Sequence, residues 1–554
     1  MGRVWVIGLD GMPATLIRHW ISLGELPTFA KLMAEGAWGS LESVMQPLSA
    51  NAWSSFITGT NAGQHGIYDF SRRIPGSYDV ELTNARMRAG DSLWRILSNA
   101  GLRVGVVNVP MTYPPEPVNG YLVSGLLTPG LDALHTYPAD LASEIDDQHF
   151  IAVSTVGKSH SLYLAETLEG IDRRFEVQHR LMAKEPVDFF MNVIMETDAI
   201  QHCSWDMMNQ PNHPGRDSIL SVYQRIDHHL GILVDQLPSD VTLILISDHG
   251  AGPIDKVVHL NRWLAQHGWL RFVQDTGLLN RAQALAGAAL ARGIALAQRY
   301  LPARIKARVK RSTTMRSQIT SFMRNLGIDW SATRAFSLGN QGNICLNVRG
   351  REPEGIVQPG DEYEALCAEI ISQLKGLRDP ETGDLVVQEV HRREELFSGP
   401  FLHLAPDLLI RWTADRYVSK EHYYESPRGP VFDRVLKLGI GSADYALDQT
   451  GTHTLDGMVM LAGRHSRPDA HVKGAKLLDL PPTILHLLDV PIPLRMEGRV
   501  LTQALSDAFI RARPLRYVDN GSSEAAAADD DSSQLADEDQ AVVRERLRGL
   551  GYVA

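Results

Sequence analysis

Six side chains of the types that bind divalent metal ions lie at or near the ends of short apolar runs. Carboxylate and imidazole groups are ligands that zinc and manganese accept in proteins. Three apolar runs, VWVIGL, FFMNVI and VTLILI, each lead into one or two of these residues, and a further histidine precedes GMVMLAG. A set of this kind predicts a two-metal hydrolase. The six residues are Asp10, Asp198, His202, Asp248, His249 and His453.

Taken singly, each of these residues also has an ordinary structural interpretation. Asp10 can form a turn or cap a helix, and a D-x-x-x-H pair is most often a surface pair. A lone histidine such as His453 is more often a hydrogen-bonded structural residue than a ligand. Position favours the metal interpretation, because the carboxyl ends of strands are where open α/β sheets build active sites. Asp198 and His202 are also four apart, which places both on one face of a helix.

Ser49 is the candidate nucleophile. It lies in PLSANAWSS, in a predicted loop that leads into a helix over 52–58. A helix N-terminus favours phosphate because its first N–H groups have no intrahelical partner and its dipole attracts anions. On local sequence alone, the commoner role of such a serine is an ordinary N-cap. His65, in QHGI, is expected to fix a turn rather than bind metal.

The elements that must position these residues alternate between buried strands and amphipathic helices. Apolar runs predict strands over 4–9, 104–109, 121–126, 189–195 and 241–246, with helices over 26–35 and 162–181 between them. This alternation predicts an α/β fold with a central, mostly parallel sheet flanked by helices. Further along, strands are predicted over 344–348 and 408–412, with a helix over 363–374.

The chain divides by composition into four segments. Residues 1–275 and 331–515 are predicted to be the first and second parts of the catalytic α/β core. Residues 276–330 are predicted to form an inserted basic helical cap, because 276–328 holds many Arg and Lys and no Asp or Glu. A solvated basic face is the favoured interpretation, and attraction of an anionic substrate or membrane surface is the alternative. Residues 516–554 are predicted to be a disordered acidic linker followed by a short terminal helix.

Composition limits the classes of function. The formal net charge of -11 argues against a nucleic-acid partner. The three cysteines have no CxxC spacing, which fits a reducing compartment, and no apolar stretch reaches the 18 residues of a membrane span. A strand-like run begins at residue 4, so no signal peptide is expected. We therefore expect a cytoplasmic enzyme, and the oligomeric state is left open.

Several motifs, in this order, carry a resemblance to a known family. They are GLDGM, LPTFAKLMAEGAWGSLES, PLSANAWSSFITGTNAGQHGIYDF, ETDAIQH, SDHGAGP, GREPEG and GTHTLDG. Each is weak alone, but together they resemble the alkaline phosphatase superfamily, and most closely its type I phosphodiesterase/nucleotide pyrophosphatase branch. The resemblance extends from residue 4 to about residue 501. It implies a central mixed sheet with the site at the carboxyl ends of its strands.

The resemblance also implies a role for each site residue. Asp10, Asp248 and His249, with Ser49 beside them, would hold one divalent metal ion. Asp198, His202 and His453 would hold the other, and zinc is expected, with manganese as the alternative. Ser49 would attack the phosphorus of a small phosphorylated substrate and form a phosphoseryl intermediate, while Asn51 is the candidate for phosphate binding.

Two departures from the branch bear on specificity. Nucleotide pyrophosphatases usually have a threonine nucleophile followed three residues later by an asparagine, whereas this chain has Ser49 and Ala52, with Asn51 one position earlier. Nucleotide specificity is therefore left open. Sulfatases need a C/S-x-P-x-R context, and the chain lacks that Pro and Arg.

Two alternative functions share the same residues. A phosphomutase or phospho-group transferase, similar to phosphoglycerate mutases, would return the phosphoryl group to an organic acceptor held by a basic residue such as Arg351. A non-catalytic member would bind an anionic glycan or a lipid headgroup. Because all six ligand positions and the serine are filled, the sequence argues against the non-catalytic alternative, while the transferase stays open.

Overall fold

The computed structural model describes most of the chain. The described residues are 2–130, 134–145, 158–273, 327–339, 341–419, 429–434, 449–519 and 537–549. Nearly all of the predicted basic cap lies outside these ranges, as does most of the predicted acidic linker. The predicted terminal helix is confirmed as Asp537–Gly549, and its Val543 and Leu547 are buried against the core.

A ten-stranded mixed sheet forms the centre of the molecule. Five adjacent strands run parallel, with an antiparallel strand on either side of them. In order across the sheet, the strands are Ala470–His471, Ala37–Glu42, Asp456–Gly463, Val241–Ile246, Arg3–Leu9, Phe189–Ile194, Val104–Val109, Gly120–Ser124 and Thr136–Tyr137, with Ala475–Lys476 also paired to Ala37–Glu42. The predicted α/β class and all five predicted strands are confirmed, with small shifts at the strand ends.

Helices cover both faces of this sheet and create two buried cores. Successive side chains of a strand point to opposite faces, so Val4 and Val6 lie in one core while Trp5 and Ile7 lie in the other. Burial on both faces explains why the strands are apolar throughout. One face carries Ser49–Thr58, Leu93–Asn99 and Leu480–Leu487, and the other carries Ala14–Ser22, Pro27–Glu35, His160–Lys184, Glu196–Met208 and Ser218–Asp235.

Residues 335–412 form a second, separate layer. Four antiparallel strands, in the order Ala335–Leu338, Asn343–Leu346, Leu408–Trp412 and Val387–Arg392, pack against the helix Asp361–Lys375 around a core of their own. The strands and helix predicted here are confirmed, but the sheet is antiparallel and is not part of the central sheet. A small sheet follows, in which Lys256–Val258 lies between Tyr417–Ser419 and Phe432–Arg434.

A two-stranded ribbon joins the two ends of the segment that contains this second layer. Gly250–Pro253 pairs antiparallel with Gly451–Thr454, almost 200 residues later in the sequence. The chain then returns to the central sheet through Asp456–Gly463. No helix among the described residues is long and apolar enough to cross a membrane.

Candidate metal centre and nucleophile

Three neighbouring parallel strands end at the same height in the central sheet. The predicted metal ligands that follow these strands therefore lie at one edge of the sheet. Leu9 is in register with Ile194, and Gly8 is in register with Ile246. Asp10 directly follows the first of these strands. The helix Glu196–Met208 and the pair Asp248-His249 follow the other two. The predicted strand-end placement of these ligands is therefore what the structure shows.

The last ligand reaches this edge on the two-stranded ribbon. His453 lies opposite Ala251 in the ribbon, and His249 directly precedes the ribbon's first strand. The rings of His249 and His453 stack with centroids 3.9 Å apart. One ligand from each predicted metal site thus depends on the same local pairing.

Asp198, His202 and His453 form the first cluster, and their ligand atoms lie within 4.8 Å of one another. His202 Nε2 is 3.0 Å from Asp198 Oδ2 and 3.0 Å from His453 Nε2. His453 Nε2 is 3.5 Å from Asp198 Oδ1. All three side chains are buried. This arrangement brings together the three residues predicted for one metal ion.

Backbone carbonyls fix the imidazole tautomers of the ligand histidines. His202 Nδ1 donates to Gly451 O (2.9 Å), and His453 Nδ1 donates to Pro47 O (2.7 Å). Because a carbonyl oxygen can only accept, each Nδ1 that makes this bond carries a proton, and each Nε2 presents a lone pair when its ring is neutral. Two such lone pairs that face each other at 3.0 Å repel unless a proton or a metal cation lies between them. The donor set therefore fits a metal ion, and the carbonyls are the outer contacts that orient metal-binding histidines.

Asp10, His249 and Asp198 form a second cluster, again with ligand atoms within 4.8 Å of one another. Asp248 lies beside it, with Oδ2 3.3 Å from His249 Nε2. His249 Nδ1 donates to Gly250 O (2.9 Å), so its Nε2 also faces the cluster as a lone pair. Among the described residues, Asp248 Oδ2 meets no hydrogen-bond donor. Asp198 therefore lies between the two predicted sites.

Among the described residues, no Lys or Arg pairs with Asp10 or Asp248, and the pKa values of the cluster residues are shifted. Burial, reinforced by repulsion from Asp248 and Asp198, raises the pKa of Asp10 well above its usual value. Burial likewise raises the pKa of Asp248 and lowers that of His249. Burial would also raise the pKa of Asp198, but the imidazoles of His202 and His453 outweigh it and hold that pKa well below its usual value. Bound cations would relieve the repulsion among the three carboxylates.

Ser49 is the first residue of the helix Ser49–Thr58, and its hydroxyl faces the second cluster. Ser49 Oγ donates to Asp10 Oδ1 (3.3 Å) and lies 3.2 Å from His249 Nε2. The N-cap interpretation is wrong, because Leu48 holds that position and the helix has no side-chain cap. The first intrahelical bond runs from Ala52 N to Leu48 O, which leaves the N–H groups of residues 49–51 for other acceptors.

Residues that sequence reasoning missed hold Asp10 and the helix Glu196–Met208 in place. Trp53 Nε1 donates to Asp10 Oδ2 (2.8 Å), and Thr197 Oγ1 donates to Asp10 O (2.6 Å). Gln201 Nε2 donates to Gly11 O (3.0 Å). The signal for Trp53 was its spacing of four from Ser49, which places both residues on one helix face.

Asn51 does not contact the ligand clusters in the described structure. Asn51 Nδ2 donates to Met45 O (3.2 Å), and Asn51 Oδ1 accepts from Ser55 Oγ (3.2 Å). Both ends of the amide are engaged near its own helix, so phosphate binding by Asn51 stays a prediction. His65 Nδ1 accepts from Ile67 N (3.1 Å), which confirms that His65 fixes a turn.

Arg351 also lies away from the ligand clusters. Its guanidinium forms two hydrogen bonds with Asp407, of 2.7 and 2.6 Å, within the second layer. Arg351, the basic residue suggested to hold a mutase substrate, therefore forms a structural ion pair instead.

Comparison with known proteins identifies the family of this chain. Residues 4–434 match the family model of type I phosphodiesterase / nucleotide pyrophosphatase, a range that includes Ser49 and every predicted metal ligand except His453. The chain therefore belongs to that family. It is a phosphoric ester hydrolase, and the family generally uses two divalent metal ions. No curated protein matches the sequence.

Solved structures show a likeness of fold. The phosphonoacetate hydrolase of Sinorhizobium meliloti 1021, in complex with phosphonoformate, aligns with 15% sequence identity and a TM-score of 0.51, over 87% of this chain and 94% of that one. Murine ectonucleotide pyrophosphatase/phosphodiesterase 5, inactive and in complex with AMP, aligns with 15% identity and a TM-score of 0.47, over 91% of this chain and 100% of that one. At this identity the first likeness supports the alkaline phosphatase-like fold alone.

Proposed function

We propose that this protein is a two-metal phosphodiesterase or phosphatase that acts through Ser49. The observation that carries the proposal is the composition of the buried clusters. Asp10, Asp198 and Asp248 lie together with three histidines, and no Lys or Arg of the described residues forms an ion pair with Asp10 or Asp248. Two buried carboxylates without a cationic partner cost much free energy in their charged form, so they either keep their protons or bind cations.

The proposed ligand sets draw on the two clusters and on Asp248, which lies beside the second one. Asp198, His202 and His453 would hold one divalent cation. Asp10, Asp248 and His249 would hold the other, with Ser49 adjacent. When bound, such cations lower the pKa of an adjacent hydroxyl and neutralise charge that develops on the phosphoryl group and on the leaving oxygen. The donor set suits zinc, with manganese as the alternative.

Ser49 supplies the attacking oxygen in this mechanism. Asp10 Oδ1 accepts its hydrogen bond, and the contact of Trp53 with Asp10 Oδ2 holds that carboxylate in position. As the bond from Ser49 Oγ to phosphorus forms, the bond from phosphorus to the ester oxygen breaks and the alcohol departs with a proton. The free N–H groups at the start of the helix Ser49–Thr58 lie where phosphoryl oxygens would bind.

Water completes the cycle by displacing Ser49 from phosphorus. The phosphoseryl ester is hydrolysed, phosphate or a phosphomonoester leaves, and Ser49 regains its proton. A small phosphorylated substrate fits this chemistry. The cytoplasmic location stays a prediction, as does contact of 276–328 with an anionic membrane, since that segment lies almost wholly outside the described residues.

The decisive experiment measures hydrolysis of bis-p-nitrophenyl phosphate by protein loaded with zinc or manganese. Ser49→Ala should lower kcat by about 10³-fold or more, because the nucleophile is lost. Metal analysis of the same variant should still find bound metal. Near-normal turnover by Ser49→Ala would overturn the assignment of the nucleophile.

Ser54→Ala is the matched control on the same helix. Ser54 is also buried, but its hydroxyl contacts none of the ligand clusters and has no hydrogen-bond partner among the described residues. We expect turnover within about twofold of the wild-type value, since this substitution removes no contact. An equal loss in both variants would point to a disturbed helix rather than a missing nucleophile.

A further inference from the structure

A chain of buried hydrogen bonds extends along the helix Ser49–Thr58 and has no role in the mechanism above. It begins at His65, where Nδ1 accepts from Ile67 N (3.1 Å) and Nε2 lies 3.0 Å from Ser55 Oγ. It continues from Ser55 Oγ to Asn51 Oδ1 (3.2 Å). Ser55 and His65 are fully buried, and Asn51 is 2% exposed. Buried polar groups of this kind need partners within the protein, so each contact in the chain matters.

The direction of each hydrogen bond in this chain follows from its two ends. A backbone N–H can only donate, so His65 Nδ1 is the acceptor, and the neutral ring carries its proton on Nε2. Burial, helped by the nearby charge of Arg88, lowers the pKa of His65 to about 3, which keeps the ring uncharged at neutral pH. His65 Nε2 therefore donates to Ser55 Oγ, and that hydroxyl donates in turn to Asn51 Oδ1.

The other end of the Asn51 amide is bound to the loop that precedes the helix. Asn51 Nδ2 donates to Met45 O (3.2 Å). Since a carbonyl oxygen only accepts, the nitrogen of the amide must face it, and the oxygen must face Ser55. The loop, residues 43–48, joins the strand Ala37–Glu42 to the helix Ser49–Thr58. The amide therefore links the helix to this loop in one fixed orientation.

The same loop orients a ligand of the first cluster. His453 Nδ1 donates to Pro47 O (2.7 Å), while its Nε2 lies 3.5 Å from Asp198 Oδ1 and 3.0 Å from His202 Nε2. An outer carbonyl of this kind fixes the ring of a metal-binding histidine, and losing such a contact typically weakens metal binding by about 10–100-fold. The position of Pro47 O therefore affects the first cluster directly.

Two side-chain hydrogen bonds hold the loop next to Pro47. Gln46 Nε2 donates to Gln341 O (2.9 Å) in the second layer, and Asn51 Nδ2 donates to Met45 O on the side of the helix. Pro47 has no N–H group, so its own backbone cannot add a donor to fix its carbonyl. The place of that carbonyl thus depends on the contacts of the two residues before it.

We propose that Asn51 is a positioning residue for the first metal site, held in its orientation by Ser55 and His65. It acts by fastening the loop so that Pro47 O meets His453, and it does not bind phosphate. This inference rests on the proposed function, because it takes the first cluster as a metal site. It gives a role to a buried serine and a buried histidine that the reaction itself does not use.

The test measures zinc binding by the full-length protein after metal removal. Calorimetric titration of the wild type should resolve two ions, and His202→Ala identifies the ion that belongs to the first cluster. Asn51→Ala should weaken binding of that ion by about tenfold and leave the other within about twofold, because His453 Nε2 faces the first cluster. The visible spectrum of Co²⁺ at the first site should change too, since the imidazole ligand is displaced. Unchanged zinc affinity in Asn51→Ala would overturn the proposal.

Asn347→Ala is the matched control. Asn347 is also buried, and its Nδ2 donates to the backbone carbonyls of Trp330, Thr333 and Glu354 in the second layer rather than to the loop. This variant should lower the free energy of unfolding without changing zinc affinity. An equal loss of zinc affinity in Asn51→Ala and Asn347→Ala would show a general weakening of the fold and would overturn the positioning role.

Ser55→Ala tests the same chain of hydrogen bonds if Asn51→Ala does not fold. It removes the donor to Asn51 Oδ1 and leaves the amide in place, so zinc at the first site should bind about threefold more weakly. Ser54→Ala, on the same helix, should leave zinc affinity unchanged, because Ser54 Oγ has no hydrogen-bond partner among the described residues. Equal zinc affinity in the two serine variants would contradict the proposal.

Inorganic phosphate separates a positioning role from direct phosphate binding. Calorimetry with phosphate is carried out on wild-type and Asn51→Ala protein with both zinc sites saturated. A positioning residue leaves the Kd for phosphate within about twofold once the metal is in place. A rise of about tenfold or more, the value of a lost hydrogen bond to a charged group, would identify Asn51 as a phosphate ligand and overturn the proposal.

The metal titrations also distinguish this inference from the proposed function. Weaker zinc binding by Asn51→Ala supports the positioning role even if the wild type hydrolyses no phosphate ester, in which case the proposed function alone fails. Ester hydrolysis that depends on Ser49, combined with unchanged zinc affinity in Asn51→Ala, overturns the positioning role alone.

Discussion

The two layers of the molecule each bury a group of charged residues, and they neutralise those charges in different ways. In the second layer, Asp407 accepts two hydrogen bonds from Arg351, one from Tyr363 Oη (2.9 Å) and one from Leu346 N (2.7 Å). Arg393 approaches the same carboxylate at 3.4 Å. At the edge of the central sheet, Asp10 and Asp248 have no such cation among the described residues.

The pKa values of these buried carboxyl groups are shifted in opposite directions in the two layers. Burial would raise the pKa of Asp407, but Arg351 outweighs it and lowers that pKa below its usual value. For Asp10 and Asp248 burial prevails, and their pKa values are raised. A buried charge that serves the fold is thus neutralised within the protein, whereas a site for cations leaves negative charge uncompensated.

The largest expected effect is the loss of the structural ion pair. Asp407→Asn leaves the guanidinium of Arg351 without its bidentate partner, and we expect the free energy of unfolding to fall by about 3 kcal/mol. Urea denaturation at neutral pH measures this change. Glu394→Gln is the control, because Glu394 pairs with Arg393 at the exposed surface and should contribute less than about 0.5 kcal/mol. Similar falls in the free energy of unfolding for the two variants would show that the burial of Asp407 does not strengthen its ion pair.

Gly11 offers a second test, at the metal centre. Its φ is +66°, and an added Cβ would lie 2.8 Å from Asp198 Oδ1. Gly11→Ala should lower the free energy of unfolding by about 2 kcal/mol and weaken metal binding, because the left-handed backbone is strained and Asp198 must move. Gly24→Ala is the control: its φ is +79°, but nothing lies within 4 Å of its added Cβ. Equal metal affinity in the two variants would show that the contact with Asp198 is unimportant.

Asp248→Asn should have the opposite sign to Asp407→Asn when metal is absent. Removing one repelling charge should stabilise the metal-free protein by about 1 kcal/mol. The same variant should lose most of the stabilisation that zinc or manganese gives the wild-type protein, since one ligand is weakened. Thermal unfolding with and without metal measures both effects. A destabilised metal-free variant would contradict the charge imbalance inferred at the site.

The smallest expected effect concerns Asp69, a carboxylate away from both clusters. Burial raises its pKa to about 7. The folded state therefore holds its proton more tightly than the unfolded state, and stability falls as pH rises from about 4 to about 7, then levels off. Asp69→Asn should remove that fall, and its advantage over the wild type should grow to about 1 kcal/mol at pH 8, because partial exposure screens the charge. Urea denaturation at pH 4.5 and pH 8 tests this, and an advantage independent of pH would contradict it.

The sequence predicted those parts of the site that depend on local pattern. Apolar runs identified the parallel strands, and the ligands at their ends met as expected because the strands end level with one another. The clustering of Asp198 with His202 followed from their spacing on a helix. These predictions needed no knowledge of which distant segments pair.

What the sequence could not predict depends on pairing over long distances. The antiparallel direction of the second layer, and the contacts of Pro47 O and Gly451 O with the ligand histidines, are set by tertiary packing. The role of Asp198 between the two clusters also needs coordinates.

The ribbon that joins Gly250–Pro253 to Gly451–Thr454 has a consequence for how members of such a family can diverge. Because Pro253 pairs with Gly451, and Ile254 N donates to Thr450 O (2.9 Å), the two ends of the intervening segment are fastened together. That segment can be lengthened, shortened or exchanged while His249 and His453 stay in place. It contains the second layer, so substitutions can accumulate there without moving the two histidines at the ribbon.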